Sequence, residues 1–380
     1  MESHFTFNDH RIIEEFCDLK CDYCGGFYPS EYQIKYDNNG SLIMPQSWKD
    51  KMVESPEIAA RMPLEPSIKD FFLLGKSALA RAEEFTDVDI LKLSGGEIFI
   101  YKDLCDFIEE IHQQYTAIQV LTNGVSLTPE IIGKLSNLEN VYFQVSLDGV
   151  DSFSNKARSS SSIVVNKVLA NIDAMQENNI GVEINTVLTK YNTADFESML
   201  EHFKDAKNLV IVPRPVRGEP KETLVFSSKQ SSVFKELINN KQSKYHDILP
   251  PQAYLNRLQF IMDNGQRDWD CYVPFFVMGM DNYGTVDTCP CAGDLPKIGS
   301  IFTDQTLIEQ TYCNNSQFNP KNNYRQCKNC IVQYEMINLY IEGLVSAQEM
   351  RKLPSFKFSG VLENIDQKKN ELVTQGIIAS

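Results

Sequence analysis

The sequence predicts an α/β fold, an open partial (β/α)6 barrel of TIM-like kind, followed by a separate cysteine-rich region. Three observations predict it. From Ile12 to about Arg217, six short apolar runs alternate with amphipathic helical patterns, and such alternation implies a parallel sheet with right-handed crossovers. Several of the runs end in glycine or polar turn residues, at the strand ends where barrels of this kind build their sites. After Arg217 the alternation stops and cysteines become frequent. The expected division is a barrel over residues 1–220 and a second domain over 221–380, with a soft boundary at the polar stretch "RGEPKET".

The elements follow in order. "HRIIEEF" reads as the first strand, running into a loop with three cysteines. "SIKDFFLLGKSALARAEEF" reads as a helix and "DILKLSGGE" as a buried strand ending in a Gly-Gly turn. "DLCDFIEEIHQQY" is helical and "AIQVLTNG" a strand. "TPEIIGKLSNL" is helical, with Thr128 as N-cap before Pro129. "NVYFQVSLDG" is a strand, "VVNKVLANIDAMQENN" a helix, "GVEINTVLT" a strand, "DFESMLEHFKDA" a helix and "NLVIVPRPV" the last strand. The 69 residues between Cys24 and Ser94 exceed one β/α unit, so about 28–68 reads as an insertion at the site face. Beyond Arg217, "SSVFKELINNKQ" and "QAYLNRLQFIMDN" read as helices, and a charged helix or tail closes the chain.

Composition narrows the class. The 380 residues are 42% hydrophobic and 23% charged, as in an ordinary globular protein. A formal net charge of -15 with no long Lys/Arg run disfavours nucleic acid and anionic membrane as partners. No basic segment leads into an apolar stretch at the N-terminus, and no run of about 18 apolar residues occurs, so neither a secretory signal nor a membrane span is expected. Ten cysteines without a signal imply a reducing, cytoplasmic setting, where clustered cysteines are more often metal ligands than disulfides.

"EEFCDLKCDYCGG" places Cys17, Cys21 and Cys24 at C-x3-C-x2-C spacing. Three thiolates from one loop can hold three irons of a 4Fe-4S cluster, leaving one iron open to a ligand. A zinc site completed by a distant Cys or His is the alternative.

The downstream motifs give this triad a context. C-x3-C-x2-C after a first strand, with aromatic Tyr23 before the third cysteine, resembles the signature of the radical S-adenosylmethionine (radical SAM) superfamily. The resemblance covers roughly residues 10 to 217 and continues through "LSGGE", "LTNG", "VSLDG" and "INTVLTKYN". It implies that the open iron chelates SAM, and that one electron then cleaves SAM to a 5'-deoxyadenosyl radical that abstracts hydrogen from a substrate, the protein orienting the cofactor. It also implies site residues. The turn Ser94, Gly95, Gly96 and Glu97 is expected at the SAM ammonium, its two glycines allowing close backbone approach. Asn123, Asp148 and Asn185 lie at strand ends near the cofactor, Ser146 near the ribose or carboxylate, and Arg158 as a partner of the carboxylate.

Cys271, Gly284 and Cys289 are spaced C-x12-G-x4-C, and "CKNC" adds Cys327 and Cys330. This resembles the SPASM auxiliary-cluster module in its shortened twitch form. The resemblance implies one auxiliary 4Fe-4S cluster held by these four cysteines; a four-thiolate zinc site is the alternative. Of the remaining cysteines, Cys105 reads as core, while Cys291 and Cys313 are candidate hydrogen donors, Cys291 also being a candidate cluster ligand.

The functional expectation is a radical SAM enzyme acting with an external one-electron reductant. The favoured substrate is a ribosomally made peptide undergoing a crosslink or other oxidative maturation. Only 16 residues precede Cys17, so leader recognition is expected from a separate leader-binding protein or from direct docking. The alternatives are a small-molecule dehydrogenase of sugar or aminocyclitol type, a peptide epimerase with a thiol hydrogen donor, and a non-enzymatic zinc-stapled binding protein.

Overall fold

Six parallel strands lie side by side in chain order: β1 (Ser3–Ile13), β2 (Thr86–Gly95), β3 (Ala117–Thr122), β4 (Val141–Ser146), β5 (Val182–Leu188) and β6 (Leu209–Pro215). Helices Ile68–Glu83, Leu104–Ile111, Pro129–Leu135, Ser162–Glu177 and Phe196–Phe203 connect them. This is the predicted α/β fold, a partly open parallel sheet of β/α units. The computed structural model describes residues 3–14, 16–24, 55–63, 66–217, 222–240, 244–291, 297–314 and 327–378. Of the expected insertion at about 28–68, residues 28–54, 64 and 65 lie outside the described residues; its described part holds the short helix Pro56–Ala59.

Local chemistry explains the helix starts. The Thr128 hydroxyl accepts from Ile131 N with Pro129 in the first turn, and Ser67 and Asp70 form a capping box at Ile68. Strands buried on both faces need apolar runs, and every residue of β5 is buried.

Two features depart from the sequence reading. β1 begins at Ser3, before "HRIIEEF"; its first part is hidden in the sequence because Asn8, Asp9 and His10 interrupt the apolar pattern although all three are buried. Beyond β6 the sheet continues. β7 (Val277–Asp281) pairs parallel with β1, and β8 (Thr285–Asp287) and β9 (Lys297–Ser300) follow antiparallel, giving one nine-stranded sheet. The glycine of C-x12-G-x4-C makes the β7–β8 turn. Gly284 has φ +76°, and a Cβ there would lie 2.5 Å from the Ile301 side chain. Helices Ser228–Asn239, Gln252–Asn264 and Val361–Thr374 match the expectations, while Glu335–Ile341 adds another. Among the described residues, no helix is long and apolar enough to cross a membrane.

The barrel interior is polar. Asp9, Lys92, Gln119, Gln144 and Glu183, one from each of β1 to β5, are all buried. Lys92 Nζ lies 3.1 Å from Asp9 Oδ2, and Gln119 donates to Glu183 at 3.0 Å. A segment from the C-terminal region fills the space between them. Gln333 donates to Gln119 Oε1 at 2.6 Å and accepts from Gln144. Tyr334 OH donates to Asp9 Oδ2 at 2.7 Å. The Ser355 hydroxyl donates to Glu183 and accepts from Tyr142 OH at 3.1 Å. Burial opposes the Asp9 charge, yet Lys92, the Tyr334 hydroxyl and Arg11 hold its carboxyl below the usual range. Burial raises Glu183.

Tyr334→Phe removes a charge-assisted hydrogen bond from a buried carboxylate. Urea unfolding should show a loss of about 1.5–3 kcal/mol; an unchanged midpoint would show that Lys92 and Ser94 suffice for Asp9.

Candidate functional site

The loop after β1 carries Cys17, Cys21 and Cys24, and the ends of four other strands hold it in place. Near Cys17 the clamp is the Gly-Gly turn after β2. Glu97 N donates to Phe16 O at 2.7 Å. A Cβ on Gly96 would lie 2.0 Å from that same oxygen, so only glycine permits the approach. The Glu97 side chain is fully buried and accepts from Thr122 Oγ1 at 2.8 Å, Asn123 N at 2.7 Å and Phe99 N at 3.2 Å. It locks the β2 turn to the end of β3. Burial pushes its carboxyl up to about 7. Asn123 Nδ2 donates to Asp18 Oδ1 at 2.6 Å and lies 3.9 Å from Cys17 Sγ. Ser126 donates to the other Asp18 oxygen at 3.0 Å.

The far side of the loop is tied to β4 and β5 through Asp148, which is 1% exposed. Its carboxylate accepts from Tyr23 OH at 2.5 Å, Arg158 Nη2 at 3.1 Å and Val187 N at 3.0 Å. The Arg158 guanidinium sits 5.4 Å from the centre of the Tyr23 ring. Asp22 N donates to Ala157 O at 2.7 Å.

The thiols differ in environment. Burial pushes Cys17 up to about 12. Cys21 and Cys24 are in mutual hydrogen-bond contact, which raises Cys21 and lowers Cys24 to about 7. Arg158 favours the thiolate at both, and Arg214 at Cys24.

The other expected residues separate into two groups. The Ser94 hydroxyl donates to Asp9 Oδ1 at 2.8 Å and so belongs to the barrel interior. Asp148 and the Glu97 carboxylate are engaged by protein donors, as described above. Ser146 and Asn185, opposite one another on β4 and β5, have no side-chain hydrogen bond among the described residues. Arg158 Nε is buried without a partner there.

The second set of thiols converges as well. Cys291 is in hydrogen-bond contact with Cys289 and Cys330. Asn338 Nδ2 lies 3.7 Å from Cys271 Sγ, and the Arg267 side chain bonds the same sulfur. The "CKNC" loop docks on the barrel: Asn329 donates to Val216 O at 3.0 Å, just past β6, and Arg267 N donates to Lys328 O at 2.6 Å. Cys291 therefore joins this set. Cys313 is on helix Gln305–Asn314, but its side chain lies outside the described residues. Cys105 is buried in helix Leu104–Ile111. Among the described residues, no three His, Cys, Asp or Glu side chains are grouped to hold a single metal ion. Sequence reasoning missed Asp18, Arg214, Arg217 and Arg267. For Arg214 and Arg217 the signal was present, two arginines in "VPRPVR" at the end of a barrel strand.

Comparison with known proteins gives this geometry a family context. A family model described as the Radical SAM superfamily matches residues 12–203, half of the chain. The mycofactocin maturase MftC of Mycobacterium tuberculosis is 29% identical over 116 residues, 30% of this chain and 29% of that protein. The sporulation killing factor maturation protein SkfB of Bacillus subtilis is 25% identical over 116 residues, 30% of this chain and 28% of that protein. The match thus spans under a third of these curated relatives. In fold, the chain is similar to anSMEcpe with bound AdoMet (TM-score 0.55, 15% identity, 99% of this chain and 96% of that one). It is also similar to SuiB of Streptococcus suis (TM-score 0.55, 14% identity, 84% and 69%).

Asp148→Ala strands the buried Arg158 charge and frees the Tyr23 hydroxyl and Val187 N–H. A stability loss of about 3–5 kcal/mol is expected on chemical denaturation. Ser146→Ala removes no protein hydrogen bond among the described residues and should cost less than about 0.5 kcal/mol. Equal losses for the two variants would contradict the role given to Asp148.

Proposed function

The chain belongs to the radical SAM superfamily, and from that premise we propose that it reductively cleaves S-adenosylmethionine and abstracts hydrogen from a ribosomally synthesised peptide, in an oxidative maturation such as a crosslink. The observation that carries this reading is the single loop bearing Cys17, Cys21 and Cys24, held at one end by Gly96 and Glu97 and at the other by Asp148. A 4Fe-4S cluster bound there supplies the electron that splits SAM into methionine and a 5'-deoxyadenosyl radical.

The donor set suits both groups. Arg158 and Arg214 ease ionisation of Cys24, as cluster ligation requires. Arg158 Nε, buried and unpartnered among the described residues, is a donor for the SAM carboxylate. Ser146 and Asn185 are available for the carboxylate or ribose. With the Glu97 carboxylate engaged by three protein donors, it is the backbone of the Ser94, Gly95, Gly96 turn that offers acceptors to the SAM ammonium. Asn123 and Asp148 hold the loop from outside, and Tyr23 links the loop to Asp148.

Cys271, Cys289, Cys327 and Cys330 hold an auxiliary 4Fe-4S cluster in a twitch/SPASM-like C-terminal domain over 221–380. Support comes from their convergence with Cys291 beside the barrel end and from Arg267 bonded at Cys271. The peptide substrate is supported by curated relatives named as maturases of mycofactocin and of the sporulation killing factor. An external reductant supplies the electron, and a separate leader-binding protein or direct docking brings the peptide. The setting is cytoplasmic.

Anaerobic reconstitution should yield about eight irons per chain; a content near four, or stoichiometric zinc, would remove the auxiliary cluster. Cys21→Ala should abolish 5'-deoxyadenosine release under reductant. Cys327→Ala should lose about four irons yet still release some 5'-deoxyadenosine. Normal release from Cys21→Ala would refute the assignment of the first loop.

A further inference from the structure

Each set of thiols has an arginine from the end of β6 beside it, Arg214 by Cys24 and Arg217 by Cys291 and Cys330. β5 pairs with β6 so that Glu183 opposes Val210, Asn185 opposes Val212 and Val187 opposes Arg214. Glu183 lies in the barrel interior, and alternate residues of a strand share a face. Arg214 therefore stands on the interior face at the barrel mouth, two positions beyond Val212. It is half-buried and has no hydrogen bond or ion pair with a carboxylate among the described residues. Burial works against its charge, and so do the neighbouring guanidiniums of Arg217 and Arg158. Arg214 favours the thiolate at Cys24, and Arg217 does so at Cys291 and Cys330. The pair thus spans the gap between the first loop and the second set. Asp148, which carries the neighbouring Arg158, is already shared by Tyr23, Arg158 and Val187 N.

A half-buried guanidinium among like charges is unfavourable unless an anion completes it. The planar fork of arginine matches a carboxylate better than it matches a diffuse charge. We propose that Arg214, seconded by Arg217, is a binding site for a carboxylate of the substrate, so that the enzyme accepts a peptide presenting an acidic side chain or its free C-terminus between the two sets of thiols. The inference rests on the reading of the barrel mouth as the reaction site.

The test uses reconstituted protein with SAM present and three blocked tripeptides: acetyl-Ala-Glu-Ala-amide, acetyl-Ala-Gln-Ala-amide and acetyl-Ala-Ala-Ala with a free C-terminal carboxylate. Binding is measured by calorimetry. Wild type should bind at least one carboxylate peptide about ten-fold or more tighter than the glutamine peptide, and whichever it prefers identifies the source of the carboxylate. Arg214→Gln should erase the preference, and Arg214→Lys should retain part of it. Absence of a preference in wild type, or its persistence in Arg214→Gln, overturns the site. So does loss of iron from Arg214→Gln with an unchanged preference, which would make Arg214 a counter-charge of the cluster. Release of 5'-deoxyadenosine by wild type, measured alongside, separates the readings: release without peptide preference leaves the enzyme class standing and removes only the carboxylate site.

Discussion

The relation between the two sets of thiols depends on Gln333 and Tyr334 lying inside the barrel. Those two side chains close a buried hydrogen-bonded layer formed by Asp9, Gln119 and Gln144. They follow Cys330 by three and four residues, so the layer sets the position of "CKNC" against the strand ends. A buried polar layer of this kind is costly when half satisfied and rigid when complete. Its members come from β1, β3 and β4 and from the C-terminal region, so the barrel and that region complete each other's hydrogen bonds. The single sheet running from β6 through β1 to β9 has the same effect at the level of the backbone.

Around the first loop the same economy is visible with different chemistry. Gly96 works by having no side chain, since any Cβ would strike Phe16 O. Glu97 works by burying a carboxylate under three donors, which joins the ends of β2 and β3. Asp148 does so with a carboxylate that bonds a tyrosine, an arginine and a backbone amide. The consequence is a cysteine loop whose position is dictated by the barrel, with Cys17 governed by β2 and β3, and Cys21 and Cys24 governed by β4 and β5.

Most of the barrel was legible in the sequence because strand and helix alternate with clear apolar runs, and because Thr128 and Pro129 announce a helix start. β4 and β6, which open on apolar runs, were easier to read than β1, whose Asn8, Asp9 and His10 are polar yet buried. Burial of Asp9 and His10 is made tolerable by Lys92, Ser94, Tyr334 and Gly75, partners 65 to 325 residues away, and no local pattern shows that. The strands β7 to β9 are three to five residues long and were hidden among cysteines, although Gly284 marked their turn. Candidate residues were legible by type, but their division of labour was not. Whether Ser94, Glu97 and Asp148 face a ligand or the protein depends on contacts across strands. The arginine pair of "VPRPVR" is visible in the sequence, but Arg214 gains its meaning from Arg158, which the fold brings beside it.

The place of β1 in the sheet has a consequence for how the protein is made. β1 is flanked by β2 on one side and by β7 on the other, and Phe7 pairs with Val277. During synthesis its first edge can be covered once β2 has left the ribosome. Its second edge has no partner until almost three quarters of the chain has emerged. Through that interval a strand with free backbone donors and acceptors is open to pairing with another chain, and closing so distant a contact is slow. The cysteine loop hangs from the end of this half-covered strand, and the Gln333–Tyr334 insert that completes the barrel arrives later still.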